Sequence, residues 1–249
     1  MAQGTGRGAQ RPNAPGVVRR VRRGAWSEGE RGNDVPDPRP ARFDAKKKSF
    51  VATESLRPAI QHARAEFVEA MMCGEIPATD LVVLDESGSN RSMTSAYGRA
   101  PRGERARGHK PKSPGENVSI LSAITLEGVV ATVVHEGAID GERFLAYLKE
   151  QLLPRLRPGQ VLVMDNLRVH HMAPAIEAIE AAGVVPLFLP SYSPDLSPIE
   201  HAWSKLKAFL RRRGARTLAD LRAAIAEGLA TISGSDCVGW FRHCGWELG

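Results

Sequence analysis

Three acidic residues, far apart in the chain, sit at the ends of similar local patterns. Asp85 closes the apolar run LVVLD (81–85) and Asp165 closes VLVMD (161–165). Glu200 lies in LPSYSPDLSPIEHAWSKLK (189–207), where a helical pattern follows the apolar stretch VVPLFLP. Short apolar runs of this kind read as buried strands, and α/β sheets place their ligands at the carboxyl ends of such strands. Three carboxylates gathered there would repel one another, because two like charges 4 Å apart cost roughly 4 kcal/mol at an effective dielectric of 20. Cations resolve that conflict. An all-oxygen ligand set favours Mg²⁺ or Mn²⁺ over zinc. Two such ions about 4 Å apart can activate an attacking oxygen and stabilise the leaving one in an in-line phosphoryl displacement. Each residue alone also has a plainer explanation. A strand-end aspartate commonly serves as a turn residue or helix cap, and Ser197, Pro198 and Glu200 spell a Ser-x-x-Glu capping box. The coincidence of all three favours the metal reading.

The elements that must position these groups follow from periodicity. Leu56, Ile60, Ala63, Phe67 and Met71 recur at helical spacing between Thr53 and Met72. After the 81–85 strand, NVSILSAIT (117–125) and GVVATVVHEG (128–137) read as a hairpin turning at Glu127 and Gly128. GERFLAYLKEQLLPRL (141–156) places Phe144, Leu145, Leu148 and Leu152 on one helical face, and Pro158-Gly159 ends it. The 161–165 strand, a helix over 173–182, the VVPLFLP strand, a long helix over 198–213 and a last one over 217–232 complete the core. This order predicts an α/β fold whose mixed sheet carries one antiparallel hairpin and has helices on both faces. On the 198–213 helix, Trp203, Ser204, Lys207 and Arg211 share the side of Glu200, with Ile199, Leu206 and Leu210 on an adjacent apolar stripe. Trp203, beside that stripe, reads as a core anchor.

Charge is unevenly spread. Residues 1–48 carry twelve Lys/Arg against five Asp/Glu, whereas residues 49–249 carry twenty-two against twenty-three. The first segment, rich in Gly, Pro and Arg and without period, reads as disordered or extended. Affinity for a polyanion must then come from local clusters in the folded part. One is RAPRGERARGHKPK (99–112), with Arg99, Arg102, Arg105 and Arg107; the other is KLKAFLRRRGAR (205–216), with Lys205, Lys207, Arg211, Arg212 and Arg213. Both are candidate contacts to a DNA backbone. Cys73, Cys237 and Cys244 form no C-x-x-C pair and read as reduced, buried thiols. No apolar run reaches membrane-spanning length and no secretory leader is visible, so the chain reads as cytosolic.

LVVLDESG, YGRAPRGER, GERFLAYL, VLVMDNLRVHH and LPSYSPDLSPIEHAWSKLK, in this order, resemble the blocks of DDE transposases of the mariner superfamily, most nearly the bacterial insertion sequence 630 family. Thirty-four residues separate Asp165 from Glu200, the interval of that superfamily. The resemblance covers about residues 45–246. It implies a ribonuclease H-like fold with Asp85, Asp165 and Glu200 as the metal-binding catalytic triad, probing DNA as a homodimer. It also implies Mg²⁺-dependent (or Mn²⁺-dependent) cleavage of transposon ends by two ions, followed by joining of the 3′ hydroxyl to target DNA at TA. Ser197 stands where the family usually has Asn, and His171 where it usually has Lys. Relatives begin with helix-turn-helix domains, whereas residues 1–45 resemble nothing in the family, as expected for the catalytic half of a split or frameshifted element in the bacterial cytoplasm, associated with the nucleoid. A ribonuclease H-like nuclease or resolvase without strand transfer, and an inactive DNA-binding remnant, are the competing expectations.

Overall fold

The computed structural model describes residues 52–72 and 76–248. The basic segment 1–48 and Cys73, about which the sequence made expectations, lie outside them. Five strands form one mixed sheet: β1 (Leu81–Ser89), β2 (Val118–Thr125), β3 (Gly128–Glu136), β4 (Val161–Met164) and β5 (Val185–Phe188), in the order β3-β2-β1-β4-β5. β2 and β3 are the antiparallel hairpin, β2 runs antiparallel to β1, and β1, β4 and β5 are parallel.

Among the described residues, six α-helices flank the sheet: α1 (Pro58–Met72), α2 (Gly141–Tyr147), α3 (Ala173–Ala181), α4 (Ile199–Arg213), α5 (Leu218–Ala230) and α6 (Gly234–His243). Alternation along the strands builds two cores. Leu81, Val83, Val161 and Val163 point to one face, where Ile199, Trp203, Leu206 and Leu210 of α4 and Leu221 and Ile225 of α5 cover them. Val82, Leu84, Leu162 and Met164 point to the other, against Phe144 and Leu148 and Ile179 of α3. The continuous apolar runs of β1 and β4 follow from burial on both faces.

Three differences from the sequence expectation have physical causes. α1 does not start at Thr53: a 3₁₀ turn over Thr53–Leu56 is followed by an extended Arg57, the conformation imposed on a residue preceding proline. The helix then packs through Phe67, Val68 and Met71, while Leu56 and Ala63 are exposed. The single helix expected over 141–156 is regular only to Tyr147. It widens into a π turn at Leu148–Leu152 and ends as a 3₁₀ turn containing Pro154, which can neither donate a backbone bond nor tolerate the carbonyl four residues back.

α6 was not expected as a helix. Ser233 caps it by accepting from the Asp236 N–H, and the Asp236 carboxylate accepts in return from the Ser233 N–H, a reciprocal box that was legible as Ser-x-x-Asp. It buries Cys237 and Phe241 in the α4 face, with Cys244 just beyond its end. Both thiols are free, and burial pushes them up, to about 11 and about 12. Among the described residues no helix is long and apolar enough to cross a membrane.

If α6 is part of the core, Phe241→Ala should lower the free energy of unfolding by about 3–5 kcal/mol, measured by urea denaturation. An unchanged midpoint would make α6 an appendage.

Candidate active site

The sheet register sets the first two carboxylates level. β1 pairs with β4 at Leu81↔Val161, Val82↔Leu162 and Val83↔Val163. Carried two residues further, just past the end of β4, the same offset sets Asp85 level with Asp165. Alternation turns both toward the face that also carries Val83 and Val163, and α4 covers that face. β1 itself does not end at Asp85, as the sequence reading had it. It continues to Ser89 because β2 still pairs with it there, although β4 has already stopped at Met164. The cleft opens where β1 loses its parallel neighbour.

Glu200 comes from the first turn of α4. The expected capping box does not form: Pro198 occupies the cap position without a side-chain cap bond, and the Glu200 N–H donates to the backbone carbonyl of Ser197 at 3.2 Å. A 3₁₀ turn over Pro194–Leu196 leads directly into the helix, so main-chain acceptors supply what a serine hydroxyl supplies elsewhere. The Glu200 carboxylate is therefore not folded back on its own helix end. Asp85, Asp165 and Glu200 line one cleft of about 400 Å³, together with Asn166, Tyr192 and Ser197.

Two side chains hold the aspartates. Trp203, only 2% exposed, donates its indole N–H to Asp85 Oδ2 at 2.8 Å. It is the core anchor expected, but its polar tip had not been assigned a partner; its place one turn after Glu200 was the available signal. His170, also buried, approaches Asp165 Oδ1 through Nδ1 at 2.7 Å and packs against the Phe144 ring. The Leu167 N–H donates to the same Asp165 oxygen at 3.1 Å. His171 hydrogen-bonds Asn166 Oδ1 and stacks on Phe188, with centroids 4.0 Å apart. The loop before α4 is held from a distance: Arg64 of α1 grips Asp195 through two bonds, at 3.0 and 2.6 Å, which lowers the Asp195 carboxyl from its ordinary range.

Asp85 is out of balance on its own. Burial raises its carboxyl to about 6, against the Trp203 and Glu86 N–H bonds that favour the ionised form, and Glu200 and Asp165 add repulsion. A desolvated carboxylate facing two others suits a hard, oxygen-seeking divalent cation. Among the described residues no three Asp, Glu, His or Cys side chains are already closed into a coordination sphere. By type, the three carboxylates that line the cleft are the oxygen donors such a cation takes.

The basic candidates divide into two groups. Arg99, Arg102, Arg105 and Arg107 lie exposed on the long β1–β2 connection, with no ion pair among the described residues. Lys207, Arg211 and Arg212 on α4 are likewise without an ion pair there. Lys205 is bound to Asp236 at 2.6 Å and to the Thr231 carbonyl at 2.8 Å, and Arg213 to Glu227 at 3.1 Å, so these two tie α4 to its neighbours. Arg216, after α4, donates to the Arg91 and Met93 carbonyls at 3.1 Å and to Thr94 Oγ1 at 2.9 Å, fastening the root of the β1–β2 connection.

Residues 80–222, more than half of the chain, match the DDE superfamily endonuclease family. The chain belongs to the DDE superfamily of endonucleases. No curated protein matches it by sequence. Its fold is ribonuclease H-like and is shared with solved transposases. A Mos1 transposase paired-end complex with a left transposon end has a TM-score of 0.68 at 14% identity, over 81% of this chain and 64% of that one. A Mos1 mariner paired-end complex with Mn has 0.68 at 17%, over 81% and 62%. The catalytic domain of Mos1 mariner transposase has 0.54 at 12%, over 80% and 91%. This DDE endonuclease thus spans less than two thirds of the longer chains and most of the isolated catalytic domain.

The raised Asp85 carboxyl has a sign. Its ionised form costs the folded state stability, so the cost is absent below about pH 4 and complete above about pH 6. In metal-free buffer, Asp85→Asn should therefore be more stable than the parent at pH 8, by about 2–3 kcal/mol, and match it near pH 4. Denaturation at the two pH values checks this.

Proposed function

We propose that this DDE endonuclease is the catalytic part of a DNA transposase, with Asp85, Asp165 and Glu200 as ligands for two Mg²⁺ or Mn²⁺ ions. The observation that carries the reading is the meeting of these three carboxylates at one cleft, two set level by strand register and the third delivered by α4. Bound there, the ions would lower the proton affinity of an attacking water and offset charge on the scissile phosphate. The chain's own residues prepare that site. Trp203 fixes Asp85, His170 fixes Asp165, and the Arg64–Asp195 pair fixes the loop that delivers Glu200.

Cleavage at a transposon end exposes a 3′ hydroxyl, and the same in-line geometry serves its attack on target DNA. Arg99, Arg102, Arg105 and Arg107 on the long connection, with Lys207, Arg211 and Arg212 on α4, hold the phosphate backbone. Lys205 and Arg213 can join them only by leaving the acids they now pair with. We further propose that the protein works as a homodimer on DNA in the bacterial cytoplasm, and that residues 1–48 form a separate basic segment ahead of the catalytic domain at 49–249.

Asp165→Ala and Glu200→Ala should each abolish Mg²⁺- or Mn²⁺-dependent nicking while leaving DNA binding within about twofold. Nicking that survives either change refutes the site. Offered a pre-cleaved end, the parent should give joined product; release without joining would make it a nuclease. The basic residues separate by a different measurement. Removing Lys207 or Arg211 should reduce the slope of log affinity against log salt by about 1 each, whereas Lys205→Ala should act mainly on thermal stability.

A further inference from the structure

The turn between β5 and α4 contains a backbone anomaly. Tyr192 has φ 58° and is the one non-glycine residue with positive φ among the described residues. That conformation costs an ordinary L-residue about 1–2 kcal/mol, and it is the position at which turns take Gly or Asn. Nothing local compensates for a tyrosine there. The residue is 49% exposed and its hydroxyl has no hydrogen-bond partner among the described residues, so no polar bond offsets the strain.

The turn around it is nevertheless well held. Pro190 and Pro194 bracket it and fix φ at two positions. Ser193, buried, donates its hydroxyl to the Ser191 carbonyl at 3.3 Å, and Asn166, next to Asp165, donates to the Ser191 hydroxyl at 3.3 Å. A strained residue inside a braced turn presents its side chain in one direction, and that side chain lines the cleft of Asp85, Asp165 and Glu200. An exposed aromatic face beside a phosphate-cutting site has an evident partner. Nucleobases stack on such rings whatever their sequence, because every base offers a π face.

We propose that Tyr192 is a substrate-contacting residue whose ring stacks on the nucleobase flanking the scissile phosphate and so holds that phosphate over the carboxylates. The proposal rests on the strand-cutting function above and adds to it a specific grip on the base. It uses the ring and not the hydroxyl.

The test is a cycle between protein and DNA. The nick on a duplex oligonucleotide is first mapped with the parent protein and Mn²⁺, and an abasic residue is then placed beside it. Tyr192→Asn relaxes the backbone and removes the ring. It should melt no lower than the parent, yet cleave the intact duplex about tenfold more slowly, while Tyr192→Phe recovers most of that loss. On the abasic duplex the parent should fall to the rate of Tyr192→Asn. If Tyr192→Asn cuts the intact duplex at the parent rate, or if its deficit persists undiminished on the abasic one, the stacking role is refuted. Asp165→Ala is run alongside. Cleavage by that variant would instead overturn the site on which the proposal stands.

Discussion

Parallel pairing between β1 and β4 brings Asp85 and Asp165 into juxtaposition, and everything else around the cleft answers to it. Hydrogen-bonded strands cannot move apart to relieve a repulsion between side chains, and the last β1–β4 pair, Val83 with Val163, lies only two residues before the aspartates. The fold therefore keeps two acids close together just past that pairing, one of them desolvated enough that burial raises its carboxyl to about 6. The surroundings are arranged to keep that pair oriented: an indole N–H on Asp85, an imidazole and a main-chain N–H on Asp165. Such contacts hold a carboxylate in one orientation, as the partners of metal ligands do. On the proposed reading, binding a cation and relieving the repulsion between the acids would be the same event.

α4 serves the cleft and the core at once. Ile199, Ala202, Trp203, Leu206 and Leu210 bury one stripe against the sheet, and this burial positions the first turn that bears Glu200. Gly214, in the left-handed conformation at φ 62°, stops the helix with its N–H on the Leu210 carbonyl. The charged side is divided between anchoring and display: Lys205 and Arg213 lock the helix to α6 and α5, while Lys207, Arg211 and Arg212 stay outward. A count of basic residues in the sequence could not make that division, because the acids responsible, Asp236 and Glu227, come later in the chain.

What could be read in the sequence was local. An apolar run ending in aspartate, seen twice, gave two strands and two candidate ligands, and the spacing of Ile199, Leu206 and Leu210 gave the face of α4 that is buried. What could not be read was pairing over distance. The offset that makes Asp85 and Asp165 level is a property of two strands eighty positions apart in the chain. The Arg64–Asp195 grip joins residues 131 positions apart, and no short-range rule anticipates it. Local rules also misled at the start of α4. Ser197 and Glu200 have the spacing of a capping box, yet the preceding 3₁₀ turn supplies the backbone acceptor, and the glutamate is left for the cleft. The reciprocal cap at Ser233 and Asp236, with the same spacing logic, is real and marks a helix the periodicity alone did not disclose.

Arg216 gives the long β1–β2 connection a particular mechanical character. Three bonds from one guanidinium clasp its beginning, at Arg91, Met93 and Thr94, while its arginine-rich middle lies open to solvent. If the connection grips DNA as proposed, a strap sewn down at the root lets its exposed part adjust to a duplex without disturbing the sheet from which it springs. Any entropy surrendered on such ordering would then be confined to the strap.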